Sequence, residues 1–370
     1  MLDHKFNGPP FTVGIEEELM LIDADSLDLA QAIEPLLEVI PERFSAQVKP
    51  ELMQAVLEIA TTPCANVREA GDQLRELRQV VIDAAEPQGL LIGAAATHPF
   101  ALVADQKIVD RPRYRELVKE LGYIALREII FGTHVHVGIR GPDRAIYVAD
   151  GIRRYLPLLL ALSANSPFWE GHRTGMMSSR VPVFRAFPRE GIPPHYGTWE
   201  IYSNRVELMM RAGAIDDYTF LWWDVRPHPN LGTVEVRIFD QQTRVEHTMA
   251  LASLVVCLAR RLCILYDQKE TMVEYPSELV DDNKVRAAVQ GTDGRLVDFR
   301  RGERIPAPQM AHDLVVLLAE HADQLGCRAE LEGVEDLITN GTGAHRQIEI
   351  HERTADLKGL VAEIVEKSRP

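Results

Sequence analysis

Long uninterrupted apolar runs are lacking from this chain. The longest mainly apolar run, Ala250 to Ala259, is too short to cross a bilayer and ends in Arg260 and Arg261. The N-terminal MLDHKFNGPPF lacks the apolar core of a secretion signal. Cysteine is scarce: Cys64, Cys257, Cys263 and Cys327 form no CxxC pair, and two lie in an apolar helical pattern. Reduced, mostly buried thiols are therefore expected, in a cytoplasmic protein with no membrane partner. Positive charge is short as well. Forty Lys and Arg stand against 55 Asp and Glu, a net charge of −15, which argues against nucleic acid as a partner. There is no GxxxxGK[ST], no GxGxxG after a strand, no HExxH and no GxSxG. A nucleotide, if bound, is held by neither a P-loop nor a Rossmann turn.

What remains is an ordinary globular composition, 46% apolar and 26% charged, in 370 residues without a repeat or a clear internal boundary. A single domain spanning residues 1–370 is expected. The stretch around which it is organised is Phe11 to Ile22, FTVGIEEELMLI. As a strand, it sets Glu16 and Glu18 side by side on one face and Glu17 on the other. Two carboxylates so close repel unless a cation neutralises both, which is the geometry of a divalent metal held by oxygen. A solvated acidic strand end would explain an isolated EEE equally well, so the weight rests on further segments.

Three others repeat the design. Val48 to Ala60 carries Glu51 and Glu58, seven apart, which reach one site only if the chain bulges or a loop begins near Glu51. Ile129 to Ile139 places His134, His136 and Gly138 on one face; His134 offers an imidazole ligand, and Gly138 is expected to leave room for a bound molecule. Gly232 to Asp240 aligns Glu235 and Arg237. Between them, Ser166 to Gly197 is rich in Gly, Pro and Arg and forms an expected lid. Arg173, Arg180, Arg185 and Arg189 are its anion-binding candidates, Arg180 foremost. Carboxylates and imidazoles spread over several strands suit two or three Mg²⁺ or Mn²⁺ ions holding a triphosphate. Helices are expected at Gln31–Ile40, from an Asn66 cap to about Glu86, at Arg113–Ile124, from an Asp143 cap through Leu162 with a bend at Pro157, and at Trp199–Ala212. More follow at Glu246–Tyr266, Gln309–Cys327 and His345–Lys367, with a turn-rich segment from Asn283 to Pro308. The sum is an α+β domain whose antiparallel sheet has a polar concave face and helices on its other side.

GIEEELMLID, PELMQAVLEIATTP, GTHVHVG, SANSPFWEG with TGMMSSR, and WWDVRPHPNLGTVEVRIFD closely resemble the compact bacterial carboxylate–amine ligases of the glutamate–cysteine ligase type 2 group. The motifs run in the family's order from about residue 11 to 240, with weaker similarity through NGTGAHRQ. The resemblance implies a glutamine-synthetase-like fold, a sheet curled into a metal-lined funnel. It also implies that ATP phosphorylates a substrate carboxylate, glutamate by default, and that an amine such as cysteine displaces the phosphate. By the same resemblance Glu16, Glu51 and Glu58 would hold one metal ion, and Glu18, His134 and Glu235 another. Arg237 and Arg180 would neutralise the transferring phosphoryl group or bind the acid, and His136 and Asn165 would contact substrate; Arg173, from the loop, is a further substrate-binding candidate. A homodimer is implied too. The chain departs from the family pattern at Val289 and Gln290 before Gly291, and at His345 in place of an aspartate. A metal-dependent amide or ester hydrolase, or a non-catalytic metal binder, would use the same funnel.

Overall fold

The structure is a computed structural model describing all 370 residues. Its central sheet is built from β1 (Val13–Asp23), β2 (Val48–Pro50), β3 (Val56–Ala60), β4 (Leu90–Gly93), β5 (Gly132–Gly138), β6 (Val225–His228) and β7 (Thr233–Asp240). The order is β6-β7-β5-β1-β3-β2, with β4 also on β1. Every pair in this sheet is antiparallel, and the expected fold class is the one observed. The alternation in β1 does what period 2 requires: Val13, Ile15, Leu19 and Leu21 enter the main core with Val135, Val137, Val234 and Val236. The opposite rows carry the polar residues.

The helices α1 (Val67–Ala85) and α4 (Val245–Asp267) pack on the apolar rows. Asn66 caps α1, its side chain accepting from Glu69 N. Helix α4 is apolar enough in composition to span a membrane, but most of it is buried inside the protein, as a core helix is. Between them lie α2 (Pro142–Ile152) and α3 (Leu156–Ser163), separated by one 3₁₀ turn. Pro157 therefore starts a helix instead of bending one, in the first-turn position where its missing N–H costs nothing. Asp143 does not cap α2; its carboxylate accepts from Trp199 N and ties the loop after residue 166 to this layer.

Three further expectations need correction. A helix, Ser277–Gln290, takes in the start of the segment from Asn283 to Pro308 that was expected to be turn-rich, because Val280, Ala287 and Ala288 bury a face. The helix at the C-terminus is two helices. They break at Ala355, whose left-handed φ of 51° ends the first. After α5 (Ala307–Leu325), these are α6 (Gly343–Thr354) and α7 (Leu357–Lys367). Val48 to Ala60 is a hairpin instead of one strand. β2 pairs with β3, and Glu51 lies in the connection. All four cysteines are free and buried.

Candidate active site

Register assembles the site. On β1, Glu16 stands opposite His134, Glu18 opposite Glu58, and Gly14 opposite His136. His136 in turn faces Glu235, and Glu235 faces Arg226 across the β6–β7 hairpin. Directly opposed residues of antiparallel strands share a face, so these side chains form a diagonal band across the sheet. An irregularity between Val236 and Phe239 shifts the β7 register, and there Arg237 N bonds Asp224 O while its guanidinium turns to Glu235 and His134.

Above the band lies a cavity of about 270 Å³ lined by Glu16, Glu18, Glu51, Glu58 and Glu128, His134, and the guanidiniums of Arg113, Arg180, Arg226 and Arg237. Phe184, Phe187, Phe220 and Trp222 also line it. The loop start needed to bring Glu51 to Glu58 is present as the hairpin connection. Arg180 is buried because Gly132 makes room for it: a Cβ there would meet Arg180 Nη2 at 2.6 Å. Space was expected beside Gly138, but Thr12 and Pro9 fill it.

One half of the band is charge-paired. Arg226 Nε donates to Glu235 Oε2 at 2.6 Å, and Arg237 donates to Glu235 Oε1. Burial raises the Glu235 pKa, but these guanidiniums outweigh it and hold the carboxyl well below its usual range. Burial likewise opposes ionisation of Glu16, yet His136 at 3.4 Å and His134 at 3.1 Å bring it well below normal. Burial lowers the His136 pKa; Glu16 and Glu235 reverse the sign, and the net shift is upward. His134 goes the other way, pushed down first by burial and then by Arg237. Its Nδ1 meets Glu16 while its buried Nε2 has no partner.

In the other half carboxylates outweigh the cations near them. Burial, then Glu18, raises the Glu51 pKa to about 7. Burial with Glu16 and Glu51 raises Glu58 well above its usual value, and burial with Glu51 and Glu18 does so for Glu128. Beside Glu58 is the half-exposed Lys49, 3.8 Å away. Carboxylates gathered with too little counter-charge to hold them ionised, beside unpartnered imidazole nitrogens, are a donor set that fits hard divalent cations. Ligand atoms of Glu16, His136 and Glu235 also lie within 4.8 Å of one another.

Not every expected residue reaches the cavity. Asn165 is fully buried and spent on the fold, its amide donating to Gln241 O at 2.7 Å and to Thr243 Oγ1 at 3.1 Å. Arg173 is exposed on a small hairpin, paired with Glu352 at 2.8 Å. Neither lines the cavity. His136 is next to Glu16 and Thr233 but does not line the cavity, and Glu235 sits beneath it as the partner of two arginines. Sequence reasoning missed Glu128, Arg226 and the aromatic wall. Arg226 was findable as the register partner of Glu235 across the hairpin; Glu128 precedes its strand with no periodic signal. Glu17, on the opposite face, is wholly buried and chelated by Arg78 at 2.8 and 2.9 Å.

An antiparallel sheet that gathers glutamates, imidazoles and guanidiniums on one face offers donors suited to a divalent cation and to phosphate. The model of the glutamate–cysteine ligase family 2 matches residues 12–366, and the chain belongs to that family of ligases. A relative from Rubrobacter xylanophilus, provisionally named glutamate–cysteine ligase 2-1, is 42% identical over 369 residues, covering 100% of this chain and 98% of its own. One from Sorangium cellulosum, provisionally named glutamate–cysteine ligase 2, is 40% identical over 97% of this chain and 96% of its own. Among solved structures, the glutamate–cysteine ligase of Francisella tularensis in complex with AMP superposes with a TM-score of 0.71 at 15% identity, covering 100% of this chain and 90% of that one. A bifunctional glutathione synthetase from Pasteurella multocida gives 0.72 at 16%, over 97% of this chain and 52% of that one. These two likenesses establish the fold.

Proposed function

We propose that the protein is an ATP-dependent carboxylate–amine ligase. A substrate carboxylate oxygen attacks the γ-phosphorus and ADP leaves; the amine nitrogen then attacks the acyl carbon and phosphate leaves, forming the amide. The observation that carries this reading is the coexistence, in one cavity, of five carboxylates with Arg180 and Arg237. Carboxylates alone would suit a hydrolase; guanidiniums beside them suit a polyphosphate whose charge must be neutralised during transfer. Mg²⁺ or Mn²⁺ would be held by Glu16, Glu18, Glu51 and Glu58 with His134, and would supply neutralisation of phosphate oxygens. Glu128 is a further donor for that set. Arg237 and Arg180 orient the anionic substrates, and the walls of Phe184, Phe187 and Trp222 restrict water around the reactive carbonyl. The names of the relatives support glutamate as the acid and cysteine as the amine. Free buried thiols and the use of ATP fit a cytoplasmic enzyme.

Calorimetric titration of ATP with and without Mg²⁺, on the wild type and on Glu16→Ala/Glu18→Ala, tests this. Metal-dependent binding lost in the double variant is expected, followed by ADP release that requires both glutamate and cysteine. Absence of ATP binding with either metal, or ATP-independent amide turnover that survives Arg237→Ala, would overturn it in favour of a hydrolase.

A further inference from the structure

A second cavity, of about 430 Å³, is larger than the funnel and shares no lining residue with it. It lies along one face of α6, where Gly343, Arg346, Gln347, Ile350 and Arg353 recur at helical spacing. The C-terminal turns of α7 and the residues leading into α4 close it. The start of α4, at Arg244, has no side-chain cap. The N-terminal ends of α4 and α6 thus both abut the cavity, each a partial positive charge.

Its side chains extend that bias. Arg244, Arg346, Arg353 and Lys367 line it against Glu349 and Glu363, an excess of positive charge in a protein of net charge −15. Arg346 is engaged by Asp336 at 2.9 Å and Arg244 by Glu246 at 3.6 Å. Arg353 and Lys367 are exposed and in no ion pair. Two lining amides add a different demand. Gln242 and Gln347 are 1% and 3% exposed, and the Oε1 of each lacks a donor. Their amide nitrogens are committed, Gln242 to Ser163 O and Asp240 O, Gln347 to Asn165 O and Oδ1. A buried carbonyl oxygen without a donor is unfavourable, so each calls for an N–H or O–H from outside the chain.

We propose that this cavity is a second ligand site for a short peptide with a free carboxylate. The carboxylate lies at Arg353 and Lys367, and the neutral amide N–H groups lie toward Gln242 and Gln347. Six helical residues separate Gln347 from Arg353, about 9 Å of rise, which is the span of an extended dipeptide and exceeds that of a single amino acid. Purely anionic ligands leave the carbonyls unanswered, and purely cationic ones meet the arginines. The site stands independently of the funnel's chemistry, although the amide product of the proposed ligation belongs to the same chemical class.

The test is calorimetric titration of the dipeptide glycylglutamate into three full-length proteins: wild type, Glu16→Ala/Glu18→Ala, and Arg353→Glu/Lys367→Glu. Because Arg353 and Lys367 are exposed, the last should fold, which its thermal melt checks. Saturable one-to-one binding that survives in the funnel variant and weakens at least tenfold in the charge-reversed variant is expected. Glutarate and putrescine, each lacking one half of the recognition, should bind at least fivefold more weakly. No saturable binding to the funnel variant, binding unchanged by charge reversal, or glutarate binding as tightly as the dipeptide would each overturn the proposal.

Discussion

Around Glu235 and Glu16, every buried carboxylate faces an imidazole or a guanidinium; around Glu51, Glu58 and Glu128, the nearest charges are mostly other carboxylates. The same side chain at similar depth is thus held ionised in one half of the site and driven toward its neutral form in the other. Burial pushes in the same direction for both, so the difference lies in the partners. Glu235 with Arg226 is complete within the chain and serves as scaffold. The unpaired half has the donor set that a cation would complete, with Glu16 and His134 beside it.

The sharpest way to break this contrast is to remove a cation from the paired half. Arg226→Ala leaves Glu235, 1% exposed, with one of its two guanidiniums, and strips donors from Thr219 O and Leu221 O. A loss of about 3–5 kcal/mol in unfolding free energy is expected, read by denaturant titration. A loss under 1 kcal/mol would mean that the pair is not the scaffold.

Next in size, and opposite in sign, is the unpaired half. A Glu51 whose pKa rises from 4.5 to about 7 on folding keeps its proton where the unfolded chain has lost it. Its contribution to stability is therefore full below pH 4.5 and fades as pH climbs through about 7. Glu16 and Glu235, shifted down, behave conversely: their contribution is present above 4.5 and lost as pH falls below it. Metal-free protein should hence weaken on both sides of a mildly acidic optimum. Glu51→Gln/Glu58→Gln should flatten the alkaline limb alone, raising the melting temperature at pH 8 while abolishing metal-dependent ATP binding. Added Mg²⁺ should flatten the same limb in the wild type. A double variant less stable than wild type at pH 8 without metal would refute the contrast.

How far the sequence disclosed these halves follows from what each depends on. Alternation put Glu16, Glu18, His134, His136, Glu235 and Arg237 on the sheet's polar rows, because period 2 is a property of the strand itself. Pairing partners need the register between strands as well. Arg226 meets Glu235 through hairpin register, and Glu128 arrives from outside any strand. Asn165 lay in a resembling motif, yet its amide is spent on Gln241 O and Thr243 Oγ1, since a motif residue can be retained for the fold as readily as for the reaction. Arg173 was read from loop composition, which carries no direction. The wrong glycine was assigned the open space, for closeness to Arg180 at Gly132 is a tertiary fact.

That glycine sharpens the comparison at intermediate size. Gly132→Ala would set a methyl 2.6 Å from Arg180 Nη2, at the flexible end of a long side chain, so the guanidinium should move and the backbone remain. Ligase turnover is expected to fall about tenfold, a fraction of what a well-placed charge contributes to a transition state. The melting temperature should change little. A large loss of stability with turnover intact would show that Arg180 belongs to the scaffold.

The smallest effect is expected at Lys49, the cation placed beside Glu58. Half-exposed and 3.8 Å away, it pays side-chain entropy for a screened contact, and surface pairs of this kind contribute about 0–1 kcal/mol. Lys49 lowers the Glu58 pKa, but burial and the neighbouring carboxylates overwhelm it. Lys49→Ala should therefore shift unfolding free energy by less than about 1 kcal/mol, and it should leave metal-dependent ATP binding within twofold of wild type. If Lys49→Ala instead destabilised the protein as much as Arg226→Ala, Glu58 would already have its counter-ion, and the two halves would differ only in degree.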